Sequence, residues 1–156
     1  MNLIIDIGNT LTKVSVVNGQ EVLFFNRYER LQPSDIENVV VQLKPQKAIY
    51  SAVGAIPTEA IGMMKQLIPY ILELKHSTPV PLINLYASKA TLGLDRLAVA
   101  VGASYLYPNT NLLVIDSGTA ITYDIITEYG EYKLCLQLLL RPNGLFLVWK
   151  VFYNNS

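Results

Sequence analysis

Three short clusters of residues in this chain could do chemistry. The first is Asp6-Ile7-Gly8-Asn9-Thr10, with Lys13 just beyond, at the end of the apolar run Leu3-Ile4-Ile5. This set suits a phosphate and its hydrated cation. Consecutive N–H groups in a turn form an anion-binding concavity, Lys13 adds a point charge, and Asp6 can seat the cation. Gly8 has no Cβ, so it allows close backbone approach and tolerates positive φ. An ordinary β-hairpin with Asn and Gly as turn formers accounts for the same residues without a ligand. The second cluster, Asp116-Ser117-Gly118-Thr119-Ala120-Ile121-Thr122, repeats the pattern roughly 110 residues later. Aligned without gaps, Asp6 falls on Asp116, Gly8 on Gly118 and Thr12 on Thr122. The third is Gly93-Leu94-Asp95-Arg96. A carboxylate at the mouth of a helix can accept the proton of an attacking hydroxyl, and Arg96 is a planar, permanently charged fork for a carboxylate or phosphate. Read structurally, Asp95 is an N-terminal helix charge and Arg96 a solvated surface residue.

The elements that must hold these clusters can be read from pattern. Each Asp-X-Gly stretch reads as strand, tight turn, strand, and the pair predicts a duplicated fold whose two turns face each other across a nucleotide cleft. Asn18-Gly19 signals a turn into a third strand over Glu21–Tyr28. A helix capped by Ser34 or Asp35 is expected to about Leu43, with Ile36, Val39, Val40 and Leu43 inward. Lys47–Val53 reads as a buried strand parallel to the first, Glu59 to about Leu67 as a helix, and Ile71–Leu74 as a short strand. Met63 and Met64 are expected as core filler. The alanine-rich stretch from Asp95 to Ala103 reads as a buried helix entered through a glycine turn. This is an α/β arrangement with an antiparallel edge. A domain boundary is expected near residue 110, giving 1–110 and 111–156.

Half the 156 residues are hydrophobic and 15% are charged, enough for a sizeable core. Twelve basic and twelve acidic side chains cancel, and no basic patch stands out, so neither nucleic acid nor an anionic membrane surface is expected as partner. A core strand begins within three residues of Met1, leaving no room for a signal peptide. Cys135, the single cysteine, has no internal disulfide partner, and no Cys/His cluster exists for zinc. A cytoplasmic setting is expected. His76 reads as a solvated loop residue.

Taken together, Asp6-Ile7-Gly8-Asn9-Thr10 with Lys13, Tyr86 ahead of Leu92-Gly93-Leu94-Asp95-Arg96, and Asp116-Ser117-Gly118-Thr119-Ala120-Ile121-Thr122-Tyr123-Asp124 resemble the type III pantothenate kinases over about residues 1–133. That resemblance implies a ribonuclease H-like, actin-type ATPase fold with a mixed sheet and an incomplete second duplicated domain. It implies ATP-dependent phosphorylation of pantothenate, the first step toward coenzyme A. Asp95 would be the general base. Asp6, Gly8, Asn9, Thr10 and Lys13 would handle phosphates and cation, and Tyr86, Gly93, Asp95 and Arg96 would meet the substrate. Gly118, Thr119 and Thr122 would lie on the ATP side, with Asp6 and Asp116 as metal residues. Mg²⁺, a monovalent cation (K⁺ or NH₄⁺) and a homodimer are implied likewise. Two other readings stay open: another small-molecule kinase of the same superfamily, and a non-catalytic binding or regulatory relative.

The chain departs from the family in two places. Ser117 replaces a larger residue. Past Lys133 the family continues with a Gly-Gly-X-Ile-X-Pro-Gly segment, whereas residues 134–156 are an apolar tail of neither helical nor alternating order. A reading-frame shift near Lys133 is the expectation, with bare apolar surface on the second core and reduced activity as its consequences.

Overall fold

The computed structural model describes residues 1–86, 89–117, 120–141 and 144–146, the side chains of 117, 120, 134–141 and 144–146 excepted. The chain divides into two compact units, Met1–Lys75 and His76–Ser156. The division thus falls well ahead of the boundary expected near 110.

In the first unit, β1 (Asn2–Ile7), β2 (Thr12–Asn18) and β3 (Glu21–Tyr28) form an antiparallel meander, and β4 (Lys47–Ala52) and β5 (Tyr70–Glu73) extend it in parallel, in the order β3-β2-β1-β4-β5. The alternation in β1 assigns each of its side chains to a face. Leu3, Ile5 and Ile7 point into the core with Val14, Val16, Ala48 and Tyr50. Helices α1 (Pro33–Leu43) and α2 (Thr58–Leu67) bring Ile36, Val39, Val40, Ala60, Ile61 and Met64 to the same core. Each large apolar side chain among these contributes about 1.5–3 kcal/mol when fully buried. Ile4 and Asp6 therefore emerge on the opposite face of the sheet. Gly19 turns β2 into β3 at φ +62°, a value that suits glycine.

The start of α1 differs from expectation. Its N-cap is Gln32, followed by Pro33 at the first helical position, and Asp35 sits at N3, where its Oδ2 accepts the Gln32 backbone N–H at 2.8 Å. Pro33 lacks the N–H that a helix start leaves unsatisfied, so the helix begins one residue before Ser34.

In the second unit β6 (Ile83–Asn84) pairs in parallel with β9 (Glu131–Arg141), and a four-stranded antiparallel run is ordered β10-β9-β8-β7. Its other members are β7 (Leu112–Ser117), β8 (Ala120–Ile126) and β10 (Gly144–Phe146). Helix α3 (Leu94–Leu106) packs on β7 and β8, which is why it belongs to this unit rather than the first. The stretch after Lys133, read as patternless, continues as strand to Arg141, because β8 offers partners as far as Leu139 and β10 pairs with Leu139 to Arg141. A register shift between Ile125 and Ile126 leaves Lys133 as the extra residue and sets Tyr132 opposite Ile126. Side chains alternate with a period of two, so this one-residue bulge turns Tyr132 onto the face of Asp124 and α3. The other face of β7 keeps Leu113 and Ile115 exposed. Among the described residues no helix is long and apolar enough to cross a membrane.

Candidate functional site

In the first unit the ladder registers place Asp6 opposite Lys13 on one side and Ser51 on the other. Three polar side chains thus form a row across β2, β1 and β4, on the face away from the helices. Lys13 Nζ donates to Asp6 Oδ2 at 3.2 Å, and Ser51 Oγ to Oδ1 at 3.5 Å. Both charged groups remain substantially exposed, and such a pair is worth at most about 1 kcal/mol, so either partner can exchange the other for a ligand. The loop between the strands is Gly8-Asn9-Thr10-Leu11, tied by Gly8 N–H to the Leu11 carbonyl at 3.1 Å.

Gly8 serves closeness rather than unusual φ: the positive-φ glycines among the described residues are Gly19 and Gly130. A Cβ on Gly8 would meet the Leu11 carbonyl at 3.0 Å, and a Cβ on Gly54 would meet the Gly8 carbonyl at 2.8 Å. The loop after β4 is therefore pressed backbone to backbone against the turn, a contact that the motifs did not reveal. A cavity of about 310 Å³ opens beside the turn, lined by Gly8, Asn9, Thr10, Thr12, Arg30 and Pro57 among others. Arg30 was likewise not anticipated. A second cavity, of about 380 Å³, lies at the other end of α3 around Ser104 and Tyr107 and contains none of the expected site residues.

In the second hairpin, Asp116 is exposed and lies opposite Thr122 in the ladder. Thr122 is buried, and its hydroxyl has no hydrogen-bond partner among the described residues. Gly118 and Thr119 lie outside the described residues. An exposed carboxylate beside an orphaned hydroxyl is a pair of hard oxygen donors, which suits K⁺ or Mg²⁺ rather than a soft metal. Among the described residues no group of three or more His, Cys, Asp and Glu side chains could hold a metal unaided. That donor set fits a cation shared with nucleotide phosphates and water.

The third cluster is split by burial. Gly93 caps α3, Leu94 begins it, and Asp95 is exposed in its first turn. Asp95 Oδ1 accepts the Arg96 backbone N–H at 2.9 Å, and it occupies the space a Cβ on Gly93 would take. Gly93 thus makes room for the carboxylate.

Arg96, whose structural reading was a solvated surface residue, is instead buried. Its Nε donates to Asp124 Oδ2 at 3.1 Å, its Nη2 to Asp124 Oδ1, and Nη2 also reaches the Tyr132 hydroxyl at 3.3 Å. The period of 3.6 that puts Leu97 and Ala100 inward carries Arg96 with them, and two charges can be buried there because they neutralise one another. Tyr86 is also buried, with its backbone N–H on Asn84 Oδ1 at 2.9 Å. Its ring meets that of Tyr132 edge to face, 6.4 Å between centroids at 71°. His76 is exposed, its Nε2 2.8 Å from the Leu92 carbonyl oxygen. Asp124 ends the second motif and Tyr132 lies past it; neither was expected at the site.

Comparison with known proteins bears on the family to which the chain belongs. A family model described as Type III pantothenate kinase matches residues 2–134. A type III pantothenate kinase of Porphyromonas gingivalis is 44% identical over 133 residues, 84% of this chain and 53% of that protein. One from Phocaeicola vulgatus is 37% identical over 132 residues, 85% of this chain and 54% of its own length. A solved Bacteroides thetaiotaomicron protein described as having an actin-like ATPase fold aligns over 46% of this chain and 31% of its own, at 16% identity and a TM-score of 0.35. The chain spans about half the length of the curated relatives it matches. With its three clusters inside the matched stretch, the chain belongs to the type III pantothenate kinase family.

Proposed function

We propose that this chain carries the phosphate-binding turn and the base of an ATP-dependent kinase that phosphorylates pantothenate to 4'-phosphopantothenate, the first step of coenzyme A biosynthesis. The observation that carries this reading is Asp95: an exposed carboxylate at the start of α3, in the gap left by Gly93, within a chain whose matched stretch is that of the family. In this reading Asp95 accepts the proton of the pantothenate hydroxyl as its oxygen attacks the γ-phosphorus. The bond to the bridging oxygen breaks, and its electron pair leaves with ADP.

Asp6, Gly8, Asn9, Thr10 and Lys13 hold phosphates, with Gly118, Thr119 and Thr122 on the nucleotide side. Tyr86, Gly93 and Arg96 form the pantothenate end. Asp6 would hold Mg²⁺ and Asp116 a monovalent cation, K⁺ or NH₄⁺, with the Thr122 hydroxyl as a further oxygen donor. These ions supply neutralisation of the charge that gathers on the transferring phosphoryl group. Lys13 shares that work as a point charge. A cytoplasmic homodimer belongs to the same proposal.

The test is Asp95→Asn, with pantothenate and ATP affinities by calorimetry and turnover in an ADP-coupled assay. The expected result is retained affinity for both substrates and a fall in turnover of about 10²–10⁴. Retained turnover removes Asp95 as base. A parent chain that binds neither substrate overturns the reading for this chain.

A further inference from the structure

Tyr132 lies beyond every motif, yet it touches the side chains of two residues proposed for the pantothenate end. Its hydroxyl accepts from Arg96 Nη2 at 3.3 Å and donates to Asp124 Oδ1, while its ring edge meets Tyr86. Asp124 in turn takes the Arg96 guanidinium in a two-point grip. Tyr132 is 0% exposed, Asp124 2% and Arg96 9%.

The surrounding core of Leu92, Leu94, Leu97, Ala100 and Ile126 is apolar and needs no charge to be buried. A buried ion pair is seldom a net source of stability over well-packed apolar residues. What a fully bonded network of this kind does supply is one geometry, because every alternative leaves a buried charge unpartnered. Arg96 is the next residue after Asp95, and its backbone N–H holds the Asp95 carboxylate. Fixing the guanidinium therefore fixes the first turn of α3 and the carboxylate on it.

We infer that Asp124 and Tyr132 are positioning residues: from neighbouring strands they set Arg96, the ring of Tyr86 and, through the first turn of α3, the carboxylate of Asp95 for pantothenate. The bulge at Lys133 is the device that turns Tyr132 to this duty. This inference rests on the kinase reading.

The experiment uses the full chain and two variants. Tyr132→Phe keeps the ring and removes the hydroxyl; Tyr132→Leu removes the aromatic edge as well. Pantothenate and ATP affinities are measured by calorimetry well below the unfolding temperature, with circular dichroism reporting the fold. Tyr132→Phe is expected to weaken pantothenate binding about tenfold, because an Arg96 side chain no longer held by the hydroxyl is in the binding geometry only about a tenth of the time, and Tyr132→Leu to weaken it further. ATP affinity stays unchanged in both.

A purely structural role lowers the unfolding temperature and leaves the pantothenate affinity of the folded variants at the parent value; that result overturns the inference alone. No pantothenate binding by the parent overturns the kinase reading and the inference with it. A measurement on the parent removes dependence on variant folding: the Arg96 Nε–H resonance should resist solvent exchange and move on saturation with pantothenate but not with ATP. A resonance unmoved by pantothenate also overturns the inference.

Discussion

The hairpins β1–β2 and β7–β8 carry the same Asp-X-Gly signature and differ by one step of register. In the first, Asp6 lies opposite Lys13 and Ile7 opposite Thr12. In the second, Asp116 lies opposite Thr122, the residue that a gapless alignment sets on Thr12. Asp6 projects away from the helices and forms an exposed ion pair with Lys13. Asp116 and Thr122 share the face of Leu112, Val114 and Asp124, on which α3 lies, and that face carries the buried ion pair between Asp124 and Arg96. The two hairpins therefore carry different ion pairs: an exposed one on the motif acid Asp6, and a buried one on Asp124, beyond the exposed motif acid Asp116. An exposed pair is labile and can yield to a ligand; a buried pair is permanent, because separating it strands a charge in the core.

The sharpest way to break that contrast is to remove one acid from each pair. Asp124→Asn leaves the Arg96 guanidinium buried without its charge partner and should destabilise the second unit by about 3–5 kcal/mol, measured by urea unfolding. Asp6→Asn in the same experiment should cost no more than about 1 kcal/mol. Equal losses from the two would abolish the distinction.

A smaller effect is expected from two glycines, one pressed against the first turn and one beside Asp95. Gly54→Ala drives a methyl against the Gly8 carbonyl, backbone that cannot step aside, and should cost about 1–3 kcal/mol together with ATP affinity. At Gly93 the atom in the way is the movable end of Asp95. Gly93→Ala should therefore leave the unfolding midpoint nearly unchanged while lowering turnover, a split readable by pairing denaturation with the coupled assay.

The smallest effect concerns pH. Burial, together with a hydrogen bond from its hydroxyl to Glu73, raises the pKa of Tyr50 in the first core above the ordinary phenol value. A group whose folded pKa is raised contributes stability that is complete below its unfolded pKa and is lost as pH rises through the folded one. Unfolding free energy should thus decline above about pH 10, and Tyr50→Phe should flatten that decline. In the second unit Lys133, and less so Thr127, hold the Glu131 carboxyl below its usual range. Glu131→Gln should change stability little at neutral pH, since both partners remain open to water.

Much of this was legible in the chain. The meander, the parallel fourth strand, the helices and the burial of Met64 all arise from local pattern and turn chemistry, as does the exposed carboxylate at the start of α3. The N-cap at Gln32 was missed because a proline at the first helical position outweighed the better-known caps beside it. The burial of Arg96 was missed because a charged side chain is ordinarily solvated, and nothing near position 96 shows that a carboxylate 28 residues later meets it. Strand order to Arg141 was missed because it comes from pairing with β8 and β10 rather than from alternation.

By itself the sequence determined where the acids, glycines and Lys13 occur and which local element carries each, since periodicity and turn preference act between near neighbours. Only the tertiary structure decided which partner each charge receives. Register and the bulge at Lys133 are set by pairing between strands, and a single residue of slip exchanges a buried partner for an exposed one.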